Sequence, residues 1–283
     1  MSRADLHMHS TVSDGGYDVP ALIKKCAEAG LTVISLTDHD STDGVETAEK
    51  MAEFYGIKLI SGIELSTRFH GQSVDILGYG IDICHPFLQE KLQFHRGKRI
   101  DRMQKMINLC QETGLEVTFE EVEKEVTGVT FSRPHLANVL IKKDYGTTVQ
   151  DIFNKYIGYG KPCYVHKEDE MSPEEAMEII HLSGGVAVAA HPVYYDIDEH
   201  LTSWLKEKKL DGVEVYHRDH DEKNRKRFNK LVSEAEKSTG IKFFRTGGTD
   251  FHHESYGRSG EIIGGALLPY EEAVFLQTYL SSR

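Results

Sequence analysis

Two histidines separated by a single residue open the chemistry of this chain. In Asp5-Leu6-His7-Met8-His9 polar and apolar residues alternate, so an extended strand would place His7 and His9 on one face, where two imidazoles can grip one cation. An H-x-H pair alone is a weak signal, but other ligand-type residues follow at wide intervals. Asp14 lies in the Gly-rich turn Ser13-Asp14-Gly15-Gly16, His39 in Thr37-Asp38-His39-Asp40, and His191 just before Pro192. Glu64 stands alone, and Asp250 and His252 close the run Gly247-Gly248-Thr249-Asp250-Phe251-His252. Imidazole and carboxylate without thiolate exclude a Cys-rich structural zinc site and suit Zn, Mn or Fe in a hydrolytic role. Eight such residues exceed what one ion needs, so at least two divalent ions are expected.

The elements that must position these residues recur as a unit: an amphipathic helix, a glycine, then a short β-branched strand. Apolar residues at Leu22, Ile23, Cys26 and Ala27 put a helical stripe on 19–29, which stops at Gly30 before a strand at 31–36. Helix 46–55 leads through Gly56 into strand 57–64, and helix 173–182 through Gly184-Gly185 into strand 186–190. Helix 201–209 precedes strand 213–216, and helix 222–238 leads through Gly240 into strand 241–245. With 4–9 and 74–79 this makes seven strands, most separated by helices, and the expected fold class is α/β with a parallel sheet or barrel. Each candidate ligand then falls at or just past the C-terminal end of a strand, the edge where α/β sheets gather ligands and catalytic groups. Asp38 and Asp40, flanking His39, read as carboxylates that orient imidazoles. His217 and His220, after strand 213–216, read as candidates for donating a proton or binding substrate.

Residues 86–160 break this rhythm: they are strongly charged and helical, with 86–113 reading as one long helix that ends at Gly114. The expected organisation is a barrel domain from 1–85 and 161–283 carrying a helical insertion, or cap, at 86–160. Arg96, Arg99 and Arg102, spaced i, i+3, i+6, share one helix face, and Arg133 beside Pro134-His135 forms a second cationic cluster. Guanidinium forks match phosphate oxygens two at a time, so such a cap suits an anionic substrate.

Composition narrows the classes further. Acidic residues outnumber basic ones by 45 to 33, a formal charge of -12, which argues against a protein that coats long nucleic acid. Hydrophobic residues at 39% and charged ones at 28% are ordinary globular usage. No apolar run approaches a membrane span, and the first residues lack the pattern of a signal peptide. Cys26, Cys84, Cys110 and Cys163 form no C-x-x-C pair and read as free, mostly buried thiols, so a cytoplasmic location is expected. The pattern leaves the oligomeric state open.

Taken together, His7-Met8-His9, Asp14, Thr37-Asp38-His39-Asp40, Glu64, Ala190-His191-Pro192 and Asp250-Phe251-His252 look like the signature of PHP-domain metal-dependent phosphoesterases. That family has a distorted seven-stranded (β/α) barrel, and the resemblance spans nearly the whole chain. The insertion and its Ser132-Arg133-Pro134-His135 segment resemble the subgroup of 3′,5′-nucleoside bisphosphate phosphatases and related 5′-to-3′ exoribonucleases. The resemblance implies that His7, His9, Glu64 and Asp250 hold one metal, that Asp14, His39 and His252 hold a second, and that Glu64 and His191 serve a third where present. It also implies catalytic roles for Asp14, His39, Asp250 and His252, and substrate phosphate contacts for Arg99, Arg102, Arg133 and His135. Many relatives carry a histidine on the strand after the glutamate; here Asp75 stands nearest, either a third-site ligand or a strand-edge residue. The implied reaction is hydrolysis of a phosphomonoester on a small nucleotide, most concretely the 3′-phosphate of a nucleoside 3′,5′-bisphosphate. Trimming of short 5′-phosphorylated RNA, hydrolysis of histidinol phosphate, and a non-catalytic metal-binding scaffold are the alternatives.

Overall fold

A computed structural model describes residues 3–166, 170–256, 260–266 and 268–282. Seven strands form one sheet in sequential order: β1 Ala4–Asp5, β2 Val33–Leu36, β3 Lys58–Phe69, β4 Gln72–Tyr79, β5 Val186–Ala189, β6 Gly212–Glu214 and β7 Phe244–Thr246. The helices that connect them are α1 Val19–Glu28, α2 Val45–Tyr55, α3 Pro86–Glu112, α4 Phe119–Glu123, α5 Arg133–Lys142, α6 Val149–Ile152, α7 Pro173–Leu182, α8 Asp198–Lys206, α9 Glu222–Thr239 and α10 Tyr270–Ser281.

Local chemistry explains the units. Asp18 caps α1 by accepting the Ala21 N–H at 2.8 Å, Pro20 sits in its first turn, and the stripe Val19, Leu22, Ile23 and Cys26 is buried. These side chains join Ile34, Leu36, Ala48 and Phe251 in one apolar cluster that packs α1 and α2 against β2. A second cluster brings Leu6, Val33, Ile60, Val188 and Phe244 together with Leu276 of α10. The C-terminal helix α10 was not among the expected elements.

The sheet is mixed rather than uniformly parallel. β1, β2 and β3 run parallel, as do β5, β6 and β7, while β4 runs antiparallel to both of its neighbours. The expected strand ended at Glu64, yet β3 continues to Phe69 and turns back into β4 through His70 and Gly71. Both turn residues have positive φ, 47° and 85°, the two-residue geometry that matches strand twist in a hairpin. One consequence is that Glu64 lies inside a strand, level with His39 across an isolated bridge, rather than at a strand end. Another is that Asp75, near the start of a reversed strand, pairs with Ser66 and comes to the same rim.

The ends of the sheet meet. The Leu6 N–H donates to Gly247 O at 3.1 Å, the His9 N–H donates to Phe251 O at 2.9 Å, and Met8 bridges Phe251 in parallel register. The result is a seven-stranded α/β barrel distorted by one reversed strand. The closure requires a close approach: a Cβ on Gly248 would fall inside van der Waals contact with the backbone nitrogen and Cβ of His7. Gly248→Ala is therefore expected to lower unfolding free energy by about 1–3 kcal/mol, an overpacking cost, and to displace His7. Thermal melts with and without added divalent ions would check this, and an unchanged melt would sink it.

The chain divides into two compact units, Met1–Glu90 with Met171–Arg283, and Lys91–Glu170. Pro86 marks where α3 begins, but the helix runs on through the division. The second unit has its own apolar core of Met103, Met106, Ile107, Leu136, Leu140 and Ile152, with Cys110 and Cys163 buried in it. No strand occurs among its described residues. Among the described residues no helix is long and apolar enough to cross a membrane.

Candidate metal centre

The barrel rim brings all eight expected ligands into three overlapping groups, within each of which one ligand atom per residue lies within 4.8 Å of the others. The first is His7, His9, Glu64 and Asp250, all buried. His7 Nε2 and His9 Nε2 each stand 3.2 Å from Glu64 Oε2, and His9 Nε2 is 3.1 Å from Asp250 Oδ1. The second is His9, Asp14, His39 and His252, with His252 Nε2 at 3.2 Å from Asp14 Oδ1. The third is Glu64, Asp75 and His191, where His191 Nε2 lies 3.0 Å from Glu64 Oε1 and 4.0 Å from Asp75 Oδ2. His9 adjoins two groups, but a neutral imidazole has one lone pair, so it can serve only one ion.

Neighbouring acceptors set which nitrogen faces the rim. His7 Nδ1 lies 3.1 Å from Glu214 Oε1, and His252 Nδ1 lies 3.0 Å from the Asp250 carbonyl. A carboxylate or carbonyl there requires Nδ1–H, which leaves Nε2 of each ring as the ligand atom. Glu214, fully buried on β6, also accepts the His191 N–H at 2.7 Å. Sequence reasoning missed Glu214; its signal was a lone carboxylate inside the apolar strand Val213-Glu214-Val215. Tyr195 was missed too: its hydroxyl accepts the Asp75 N–H at 2.9 Å and lies 3.0 Å from His191 Nδ1.

Charge balance follows from this crowding. Burial pulls the His9 imidazole down, but the Asp250 and Glu64 carboxylates outweigh it and raise it to about 10. Burial opposes a charged His7 as well, yet Glu214 and Glu64 hold it well above its usual range. Burial alone would raise Glu64 and Asp250; the surrounding imidazoles, His39 and His7 for one and His252, His217 and His9 for the other, keep both well below the carboxylate range. Glu214 is lowered to about 2, with His7 and His217 overcoming burial.

The residues fit divalent cations on a separate observation. His7 Nε2, both ring nitrogens of His9 and Glu64 Oε2 are buried without a properly directed hydrogen bond. Buried polar atoms are ordinarily paired. Atoms that converge to 3.2 Å without aligning on one another are placed for a common cation instead.

Other expected residues have different positions. Asp38 accepts from the Ser10 N–H (2.8 Å), the Ser10 hydroxyl (2.7 Å) and the Ser13 hydroxyl (2.6 Å), so it holds the loop between His9 and Asp14 rather than orienting an imidazole. Asp40 accepts the Ser66 N–H at 2.9 Å. His217 Nε2 lies 3.8 Å from Asp250 Oδ2, beside the first group. His220 turns away: its Nδ1 meets Val215 O at 2.9 Å, its ring packs near Phe228, and burial lowers it to about 4.

The arginines lie in the second unit. Tyr164 stands between Arg102, at 5.5 Å, and Arg133, at 5.9 Å, and Arg133 also covers Phe153 at 4.8 Å. Burial, then the nearby Arg133, lowers Arg102 to about 10, and burial lowers Arg133. Arg96 and Arg99 are half-buried on the same helix. His135 Nδ1 accepts the Ser132 N–H at 3.2 Å, capping α5, so a neutral ring carries its proton on Nε2.

A seven-stranded α/β barrel with imidazole–carboxylate groups along one rim defines a class of metal-dependent hydrolase. The chain matches the PHP domain over residues 5–187, more than half of its length, and belongs to that family of metal-dependent phosphoesterases. It is 32% identical over 204 residues to the 5'-3' exoribonuclease Rnm of Escherichia coli K12, covering 71% of this chain and 68% of that protein. It is 30% identical over 269 residues to a 3',5'-nucleoside bisphosphate phosphatase of Chromobacterium violaceum, covering 93% and 91%. Among solved structures, an amidohydrolase from Chromobacterium violaceum with bound sulfate superposes with a TM-score of 0.81 at 28% identity, covering 96% of each chain.

Proposed function

We propose that this phosphoesterase removes the 3′-phosphate from a nucleoside 3′,5′-bisphosphate, leaving the nucleoside 5′-monophosphate. One observation carries the reading: two imidazole–carboxylate groups, one of them sharing Glu64 with a third, converge on a single barrel rim. The likeness to the Chromobacterium violaceum bisphosphate phosphatase over 93% of this chain supports the substrate. Two or three divalent ions held there, Mn, Zn or Fe, would supply an activated water at neutral pH and positive charge for the phosphoryl oxygens. His7, His9, Glu64 and Asp250 hold one, Asp14, His39 and His252 the second, and His191 with Glu64 and Asp75 the third. Glu214 keeps His7 Nε2 aimed at the rim, and the Asp250 carbonyl does the same for His252.

Phosphate recognition falls to Arg99, Arg102, Arg133 and His135 of the second unit. Two guanidiniums around one tyrosine, each held below its usual range by burial, form a spot where an anion relieves repulsion. The test compares adenosine 3′,5′-bisphosphate with a 5′-phosphorylated oligoribonucleotide. The bisphosphate should be the better substrate, and Arg133→Ala with His135→Ala should lower its kcat/KM by roughly 10- to 100-fold, the worth of one or two charge-assisted hydrogen bonds. An unchanged kcat/KM would remove the phosphate role of these residues. Faster turnover of the oligonucleotide would replace the proposal with 5′-to-3′ exoribonuclease activity, the function named for the Escherichia coli relative.

A further inference from the structure

Asp250 must present one oxygen to the rim from a strained backbone, its φ being +46° in the region that non-glycine residues rarely occupy. Among the described residues, a buried guanidinium meets it from the loop after β6. It belongs to Arg218, whose side chain is 4% exposed. Its Nη1 donates to the Asp250 carbonyl at 3.1 Å, and its Nη2 lies 3.4 Å from Asp250 Oδ2. His217, the preceding residue, lies beside that oxygen: its Nδ1 accepts the Asp219 N–H at 3.2 Å, so a neutral ring carries its proton on Nε2, which is buried 3.8 Å from Oδ2 without a directed hydrogen bond. Oδ1 is left facing His7 Nε2 at 3.6 Å and His9 Nε2 at 3.1 Å.

Arg218 also reaches the second ligand group. Its Nη1 is 3.8 Å from Glu261 Oε1, the oxygen that accepts the His252 N–H at 2.7 Å and the His253 N–H at 3.1 Å. The same guanidinium thus touches the carbonyl on which His252 orients its ring and the carboxylate that holds the His252 backbone. Arg218 does not stand out in the sequence, where its neighbours His217 and His220 draw the attention as candidate proton donors or substrate ligands.

We propose that Arg218, assisted by His217, is a positioning residue of the metal centre: it occupies the outer oxygen and carbonyl of Asp250, so that Oδ1 alone serves as ligand and His252 keeps Nε2 on the rim. The proposal rests on the ligand roles assigned to Asp250 and His252. A lysine keeps the charge but presents one nitrogen where the guanidinium presents two. In the full chain, Arg218→Lys should weaken binding of the tighter ion by roughly 10- to 100-fold, the usual effect of losing a group that orients a ligand. His217→Ala should act in the same direction and more weakly. Direct titration with Co²⁺ reads both Kd and the visible absorption band, which should shift if Asp250 changes its mode of binding. The metal-free melting temperature of each variant separates a local effect from general destabilisation. Wild-type Kd and an unshifted band in both variants would overturn the proposal. A wild-type chain that binds no Co²⁺ would overturn the metal centre itself and the proposal with it.

Discussion

Replacing Glu64 with glutamine is expected to reduce kcat/KM on the order of 10³-fold or more while leaving the barrel folded. The reason is geometric. Glu64 Oε2 lies 3.2 Å from ring nitrogens of His7, His9 and His39, and Oε1 lies 3.0 Å from His191. Among the described residues no other is shared by the first and third ligand groups. An amide of the same shape offers one neutral oxygen and turns an NH₂ toward groups meant to face a cation. Elemental analysis should find the variant short of metal, and circular dichroism should find its secondary structure intact. A Glu64→Gln protein with full metal content and wild-type turnover would refute the assigned centre.

Metal affinity is expected to fall steeply with acidity. In the absence of an ion, His9 titrates at about 10 and His7 well above its usual range, because carboxylates surround both. At neutral pH these rings therefore hold protons that an incoming cation must displace. The sign is fixed: fewer protons remain to be displaced as pH rises, so binding tightens with pH and weakens as pH falls. Two released protons would change Kd by up to about 100-fold per pH unit across the neutral range, and one proton by about 10-fold. Calorimetric titrations in buffers of different ionisation enthalpy count these protons directly. Binding with no proton release and a flat Kd between pH 6 and 8 would contradict the buried imidazolium–carboxylate arrangement.

How far the sequence carried the reading depends on how local the signal was. Helix α7 begins at Pro173 and ends at Leu182 as its apolar period and glycine stop required, and α1 and α9 follow theirs within a residue or two. That His7, His9, Asp14, His39, Glu64, His191, Asp250 and His252 would gather on one rim was legible because imidazole and carboxylate recur beside strand signals. The β3–β4 hairpin was not, since His70-Gly71 carries little turn chemistry until its two positive φ values are seen. Glu214, Tyr195 and Arg218 were hidden for a related reason. Each meets a partner far away in sequence, 207 residues for Glu214 and His7, 120 for Tyr195 and Asp75, 32 for Arg218 and Asp250, and no periodicity encodes such pairings. Asp38 was misread because its flanking position pointed to His39, whereas the fold turns it towards two serines.

The barrel closes where Leu6 to His9 meet Gly247 to Phe251, a seam stitched by few backbone hydrogen bonds. The proposed ligands straddle that seam: His7 and His9 lie on one lip, Asp250 and His252 on the other. A cation held between them would be a clasp as well as a reagent. It would join the two ends of a sheet whose strands come from opposite ends of the chain, and at a concentration of about 100 times its Kd it would add about 2.7 kcal/mol to the closed form. A chain not yet extended through Asp250 and His252 has only half of the proposed clasp. Tight metal retention would then report that this seam has closed.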